Sequence, residues 1–572
     1  MDLHALPPVT GWLDVGAGAA IEPEVDLLGY WIDGDLVHVG PISIGAKARI
    51  GARSTLSPGA VVGRGAEVAP GSHVLGTVTA GEAWSGSPAE RRAPARGPWS
   101  SQEAPAPRRW LVGMGVVAVL VASLPGIATL AGAAVLWPAL SGADSLGEAV
   151  RAALPWLPLA ALVGYLTLAL LVIGLTRLLA TRIEPGHFPV RSAEGLSILY
   201  TVRLLDHARD WLFPIYSSAF TPTWLRLLGA RVGEGVEAST VLLIPKLVRV
   251  NDHAFLADDT LVGSYELGGG WIRVERVKVG KRAFVGNSGM LAPGRRVPKR
   301  SLVAVLSAAP QRGKAKAGDS YIGSPPRKLR RTADDMDSSR TYDPPTRLKV
   351  LRSLVEICRV VPLLCGVALH LAVGLTLLAL LDRSVWAAVL LAGPVLLVAG
   401  HLAAGLTLVA KWVLVGRHRE GDHELWTSFV WRNELADTFT EVLAAPWFAQ
   451  ITVGTPALNA WLRLMGSRIG EGVWCDTYWL PESDLVELGD GATVNHGCVV
   501  QTHLFHDRVL QMDRVVLGAG ATLGPNSVIL PSSSLGRDAT VGPVSLVMRG
   551  EGVPSRTRWI GNPIGPWEEE EA

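Results

Sequence analysis

Two hydrophobic rhythms run along the chain, and neither belongs to an ordinary globular helix. In three stretches an aliphatic residue returns at every sixth position. The first runs Ile44, Ile50, Leu56, Val62, Val68 and Val74; the third runs Leu517, Leu523, Ile529, Leu535, Val541 and Val547. The second keeps Val279, Val285, Leu291, Val297 and Val303, then falls to Ala309. A period of six fits neither a helix face nor one flat strand. It predicts a parallel β-helix of triangular section, each side taking six residues and turning its aliphatic group inward. Gly and Asn near the corners are expected to supply the positive φ of tight turns.

The other rhythm is unbroken apolarity. Segments 110–137, 155–176, 360–381 and 385–410 lack Asp, Glu, Lys and Arg, and each reaches the roughly 20 residues a helix needs to cross a bilayer. They pair as two hairpins with short inner loops poor in Lys and Arg. Arg91, Arg92, Arg96, Arg108 and Arg109 precede the first hairpin, Arg177 and Arg182 follow it, and Lys411, Arg417 and Arg419 follow the second. The positive-inside rule then predicts a multi-pass inner-membrane protein with its N-terminus and all three large polar regions in the cytoplasm. His370 and His401 inside the spans are read as helix-packing hydrogen bonders in preference to a proton path.

Self-comparison divides the rest. GYWIDGDLVHVGPISIG (29–45), SYELGGGWIRVERVKVG (264–280) and THLFHDRVLQMDRVVLG (502–518) align without a gap, and the copies close alike with WSGSP (84–88), YIGSP (321–325) and WIGNP (559–563). LRLLGARVGEGVEAST (225–240) answers LRLMGSRIGEGVWCDT (462–477), each behind an amphipathic helical lead-in. The first copy has no lead-in and starts mid-coil at residues 6–24, so an earlier segment or partner polypeptide is expected to cap it. The expected domains are a first module at 1–92, a linker at 93–109 and a first hairpin at 110–181. A lead-in with the second module follows at 182–331, then a linker at 332–355, a second hairpin at 356–416, and a lead-in with the third module at 417–572.

Composition adds limits. Hydrophobic residues are 49% and charged ones only 18% of the 572, the balance of a chain partly dissolved in lipid. A net charge of +2 gives no reason to expect nucleic acid. Cys358, Cys365, Cys475 and Cys498 show neither CxxC nor zinc spacing and read as free thiols.

Prisms of this kind that end in G-[SN]-P resemble the left-handed β-helix acyltransferases, which implies trimeric packing, active sites between neighbouring prisms and a histidine base. Three prisms in one chain, separated by membrane hairpins, resemble more narrowly the C-terminal half of membrane-bound nonribosomal peptide synthetases of the ε-poly-lysine synthetase type. LPESDLVELGDGATVNHGCVVQTHLFHDR (480–508) carries that likeness best; the family's acidic residue at one position of it is His506 here. The fold expected is mainly β plus transmembrane α: three left-handed hexapeptide-repeat β-helix modules, joined by two transmembrane hairpins and packed as an intramolecular pseudo-trimer. The resemblance implies amide formation between a carrier-bound aminoacyl thioester and a free amine. The implied partners are aminoacyl-loaded carrier and adenylation domains, a small-molecule amine acceptor and membrane lipid. No tightly bound cofactor is expected; the substrate arrives on a phosphopantetheine carrier. The rivals are an acyl-CoA-dependent N/O-acyltransferase, using coenzyme A, and a non-catalytic membrane assembly platform. GADSL (142–146) mimics a carrier attachment site, but its short loop between two spans argues against Ser145 bearing the arm.

Candidate chemistry concentrates in the third copy. At the positions of His496, His503 and His506 the second copy has Asp258, Tyr265 and Gly268, and the first has Pro23, Tyr30 and Asp33. One working site and two degenerate modules follow. Aminolysis needs a base near neutrality to take the amine proton, which suits His503. Asp507 or Asn495 is expected to orient it. Thr502 and Gln501 are candidates for the oxyanion, and His496, His506 and Asp490 for other substrate contacts. Glu487, Asp490, Asp507 and Asp513 permit a cationic substrate. A metal site of His496, His503 and His506 is the lesser reading. His253 reads as structural, and Asp258 and Asp259 as a solvated loop in preference to a substrate-ammonium site in the second module.

Overall fold

The computed structural model describes residues 10–97, 99, 102–311, 313–330, 342, 344–506 and 508–567. The six-residue rhythm becomes stacked parallel strands of two or three residues each. In the first run Ile44 pairs with Val62, Ile50 with Val68 and Leu56 with Val74, partners three hexapeptides apart. Val279 with Val297 and Val285 with Val303 repeat the register in the second run. Leu517 with Leu535, Leu523 with Val541 and Ile529 with Val547 repeat it in the third. Each run thereby builds three parallel ladders around an aliphatic axis. The periodic residues, Ala309 included, are almost wholly buried.

Close stacking explains the glycines at the corners: a Cβ on Gly45 would lie 2.6 Å from the backbone nitrogen of Arg64. The positive-φ corners are not reserved for Gly and Asn, however. Lys47, Arg53, Arg282, Asp538 and even Val544 adopt them, because neighbouring coils fix the backbone and override local preference.

The three 17-residue segments lie in the coil only at their C-terminal ends, Ile42–Ile44, Val277–Val279 and Val515–Leu517. Each leaves it as an antiparallel hairpin arm: Tyr30–Asp33 with Leu36–Val39, Glu266–Gly268 with Trp271–Val274, and His503–His506 with Val509–Met512. The second and third arms gain an outer strand from the chain after a hairpin of membrane helices, Gly186–Pro189 and Gly421–Glu424 respectively.

Each arm reaches a neighbouring stack. Ile32 of the first donates to Asn495 Oδ1 at 2.8 Å, and Asp33 accepts from Thr540 and Arg558 of the third stack. Trp31 stacks on His38 and Trp567. Leu267 of the second arm donates to Glu22, and Glu266 pairs with Arg49 of the first stack. Phe505 of the third arm packs on Phe255, and Arg508 donates to Gly235 O of the second stack. Lower down, Ser324 Oγ donates to Pro70 O, Ser87 Oγ to Val544 O and Asn562 to Leu306 O.

Four helices among the described residues, Arg109–Ser141, Gly147–Ala180, Thr346–Arg383 and Val385–Leu414, are long and apolar enough to cross a membrane. They pack through small residues, as membrane helices do. Gly132 meets Ala160 O and Gly164 meets Ala128 O, while Gly400 faces Trp447 O on the π-helical stretch Thr440–Ala449. His370 and His401 each turn Nδ1 to the carbonyl one helical turn back. They bond within their own helices and lie edge-on to Trp447 and Phe448.

Asn495 carries a testable structural role. Its side chain joins Ile32 N, Ile32 O and Leu523 O, so Asn495→Ala strands the first arm's backbone groups. Loss of about 1–3 kcal/mol of stability is expected, read as a lowered midpoint in thermal unfolding of the detergent-purified protein.

Candidate active site

His503 opens the third arm and lines a cavity of about 450 Å3 between that arm, the second stack and the helices before the third stack. Its ring is held by a residue absent from the sequence-based list. Nδ1 lies 2.8 Å from Oε2 and 3.0 Å from Oε1 of Glu482, a carboxylate with no solvent exposure. Nδ1–H donates there, so Nε2 is the ring nitrogen left to take a proton.

Glu482 is itself fully engaged. Thr502 Oγ1 donates to Oε2 at 2.6 Å, and Asn433 Nδ2 to Oε1 at 3.0 Å. Asn433 Oδ1 faces His418 Nε2 at 2.8 Å, and His418 Nδ1 lies 3.0 Å from Asp484 Oδ2, which also accepts from Lys411 at 2.8 Å. The donor inventory fixes the protons. Asn433 must turn its NH2 to the carboxylate and its oxygen to His418, so both nitrogens of His418 carry hydrogen and the ring is an imidazolium.

The electrostatics follow. Burial alone would raise the Glu482 carboxyl, but His503, His418 and Thr502 hold it down to about 2. Burial alone would depress His503; the Glu482 charge and hydrogen bond outweigh it and lift it above the ordinary 6.5. His418 is raised likewise against burial by Asp484 and Glu482.

The cavity's other walls are acidic. Burial raises Asp437 to about 7, with the Glu482 charge adding to it, and raises Glu441 to about 8, with Asp258 adding. Burial also lifts Glu434 to about 7 against the pull of two arginines. Carboxyls this poorly neutralised favour an incoming cation.

Several candidates need correction. The Asn495 side chain is spent on Ile32 of the first arm and on Leu523 O. Asp507 lies outside the described residues, and Glu482 takes the orienting role. Thr502 is buried and donates to Glu482, which leaves it supporting the carboxylate and unable to hold an oxyanion. Asp490 is exposed and accepts from Glu471 N, capping a coil corner. His496 is exposed, and the charge it acts on is Asp476, outside this cavity. His506 is partly buried, pairs by backbone with Val509 and does not line the cavity. The three histidines are therefore not gathered, and no group fit to hold a metal occurs among the described residues. Gln501 is buried in the lining, its Oε1 without a partner among the described residues.

His253 sits at a positive-φ corner edge-on to Tyr342, outside the cavity. Asp258 is exposed and the Asp259 side chain is about half-exposed, as a solvated loop implies, yet neither is idle. Both line the cavity; Asp258 accepts from Ser239 and Thr240, and Asp259 pairs with Arg53 of the first stack and with Arg209. One missed signal was present in the chain: Glu482 occupies the position of buried Ile244 in the second copy, each just before a short 3-10 turn.

The shared proton gives a prediction independent of turnover. Neutral imidazole reacts with diethylpyrocarbonate, so labelling of His503, read by peptide mass spectrometry, rises as pH climbs through its raised pKa. Glu482→Gln removes the lifting charge, and the midpoint is expected to move to lower pH.

Comparison with known proteins places these observations. A family model described as the hexapeptide repeat of succinyl-transferase matches residues 41–75. Delta-poly-L-ornithine synthetase of Acinetobacter baumannii is 32% identical over 407 residues, covering 69% of this chain. The chain spans only 30% of that relative's length. Serine acetyltransferase of Neisseria gonorrhoeae, solved with serine, is 18% identical over 30% of this chain and 69% of its own, with a TM-score of 0.15. At that score the fold rests on the strand ladders themselves. Repeat and relative together identify the chain as a member of the poly-amino-acid synthetase-like hexapeptide-repeat proteins.

Proposed function

We propose that this chain forms amide bonds as the condensation component of a nonribosomal peptide synthetase, joining a carrier-bound aminoacyl thioester to the amine of a free cationic amino acid. The observation that carries this reading is the His503–Glu482 pair opening on an acid-walled cavity. His503 Nε2 takes the proton as the amine nitrogen bonds to the thioester carbonyl. The carbon–sulfur bond then breaks, and the proton passes to the departing thiolate. Glu482 keeps the tautomer and offsets the imidazolium that forms. Asp437, Glu441 and Asp258 attract the ammonium of the amino acid, and its approach favours the ionised forms of Asp437 and Glu441. The amide of Gln501 is the candidate for the carbonyl oxygen.

In this reading the three stacks are left-handed β-helix modules packed as an intramolecular pseudo-trimer, with domain limits as the sequence divides them. The cyclic arm contacts, first onto third, second onto first and third onto second, support that packing. Each arm then covers a cleft, and Tyr265 and Tyr30 hold the two places corresponding to His503. The relative's printed name supports an amino-acid polymer as product. The modules face the cytoplasm from the inner membrane, where adenylation and carrier domains present the phosphopantetheine-bound substrate; no nucleic acid takes part.

The test is reconstitution with a separately loaded aminoacyl carrier and a free diamino acid. His503→Ala is expected to lower amide formation by about 10²–10⁴. Undiminished yield removes the proposed base, and turnover with acetyl-CoA in place of the carrier supports the rival transferase.

A further inference from the structure

The acid-walled cavity also holds a cation whose donors are not all used. Arg359 is 2% exposed. Nη1 donates to Tyr216 O at 3.1 Å, and Nη2 to Ser217 O at 2.9 Å and Glu434 Oε2 at 3.2 Å. Nε–H has no partner among the described residues, although it is buried, and the residue lines the same cavity as His503. The other arginines of the lining are committed elsewhere: Arg209 to Glu24, Asp206 and Asp259, and Arg352 to Glu237 and Glu356. A guanidinium cannot shed its proton to escape burial, so an unmatched N–H in this wall asks for an acceptor from the ligand.

The ligand that suits both features is a zwitterion. Acids alone would suit any amine; the acids plus one guanidinium donor suit an amine bearing a carboxylate. Arg359 stands on the helical segment that leads into the second membrane hairpin, and His503 on the third arm, so the two belong to different walls.

We propose that Arg359 is the carboxylate subsite for the acceptor: its Nε–H holds the α-carboxylate of a free diamino acid. Glu434, bonded to the same guanidinium, takes the adjacent α-ammonium, and the side-chain amine extends to His503. Arg359 thereby selects which amine is acylated. This rests on the amide-forming reading above.

The experiment uses the full chain, a loaded aminoacyl carrier, and two acceptors: ornithine, and 1,4-diaminobutane, which has the same amine spacing without the carboxylate. Wild type is expected to prefer ornithine and to link through its side-chain amine, read by NMR of the product. Arg359→Gln is expected to raise KM for ornithine about 10–100-fold, the loss of one charge-assisted hydrogen bond. KM for the diamine, which has no carboxylate to lose, is expected to change far less than KM for ornithine, and the linkage becomes mixed. Diamine turnover in the same preparation reports whether the variant is folded. Equal loss on both acceptors, or wild type indifferent to the carboxylate, overturns the subsite while leaving amide formation standing. No amide from wild type with either acceptor strikes the parent reading as well.

Discussion

A coil of this β-helix pairs its backbone only with coils above and below it, so a hairpin thrown out of the stack must find its partners elsewhere. That constraint organises the molecule. Each arm carries backbone groups and aromatic side chains away from its own axis. Trp31, Leu267 and Phe505 are covered by contacts that a lone stack cannot provide. Clefts arise where arms cross to their neighbours, and the cavity at His503 is one of them.

The same crossing explains why an ion pair survives in a place where burial is costly. Glu482 has no solvent exposure, and a buried pair seldom stabilises a fold more than apolar residues of the same shape; the second stack uses Ile244 at that position. In the third stack both oxygens of the carboxylate accept hydrogen bonds, from His503, Thr502 and Asn433. Beyond Asn433 lie a charged His418, Asp484 and Lys411 at the end of a membrane helix. A fully satisfied network is rigid, and it ties the aim of the His503 ring to the seating of that helix.

Much of the scaffold was legible. Aliphatic residues at every sixth position translate directly into ladder partners, and unbroken apolar runs into long helices, because both signals are local and repeated. The site was legible only in part. His503 stood out because two sister copies have Tyr265 and Tyr30 in its place. Glu482 lies 21 residues away and enters through the stacking of one coil on the next, which a linear motif does not display. Asn495 misled for the opposite reason: its neighbours in sequence suggested chemistry, while its partner Ile32 lies 463 residues away. Asp490 looked like a substrate contact and is a corner cap, the commonest duty of Asp beside glycine. Arg359 carried no sequence signal, standing at the mouth of an apolar span where a basic residue is ordinary.

The central claim is that three stacks share one axis and that the third arm swings His503 into the cleft of the second. A cryo-electron microscopy map of the detergent-purified chain tests it most directly. The account predicts one closed ring, with Phe505 seated on Phe255, Trp31 against Trp567, and continuous density between the His503 ring and Glu482. Stacks standing apart, or an imidazole turned out to solvent with Glu482 paired elsewhere, would contradict it.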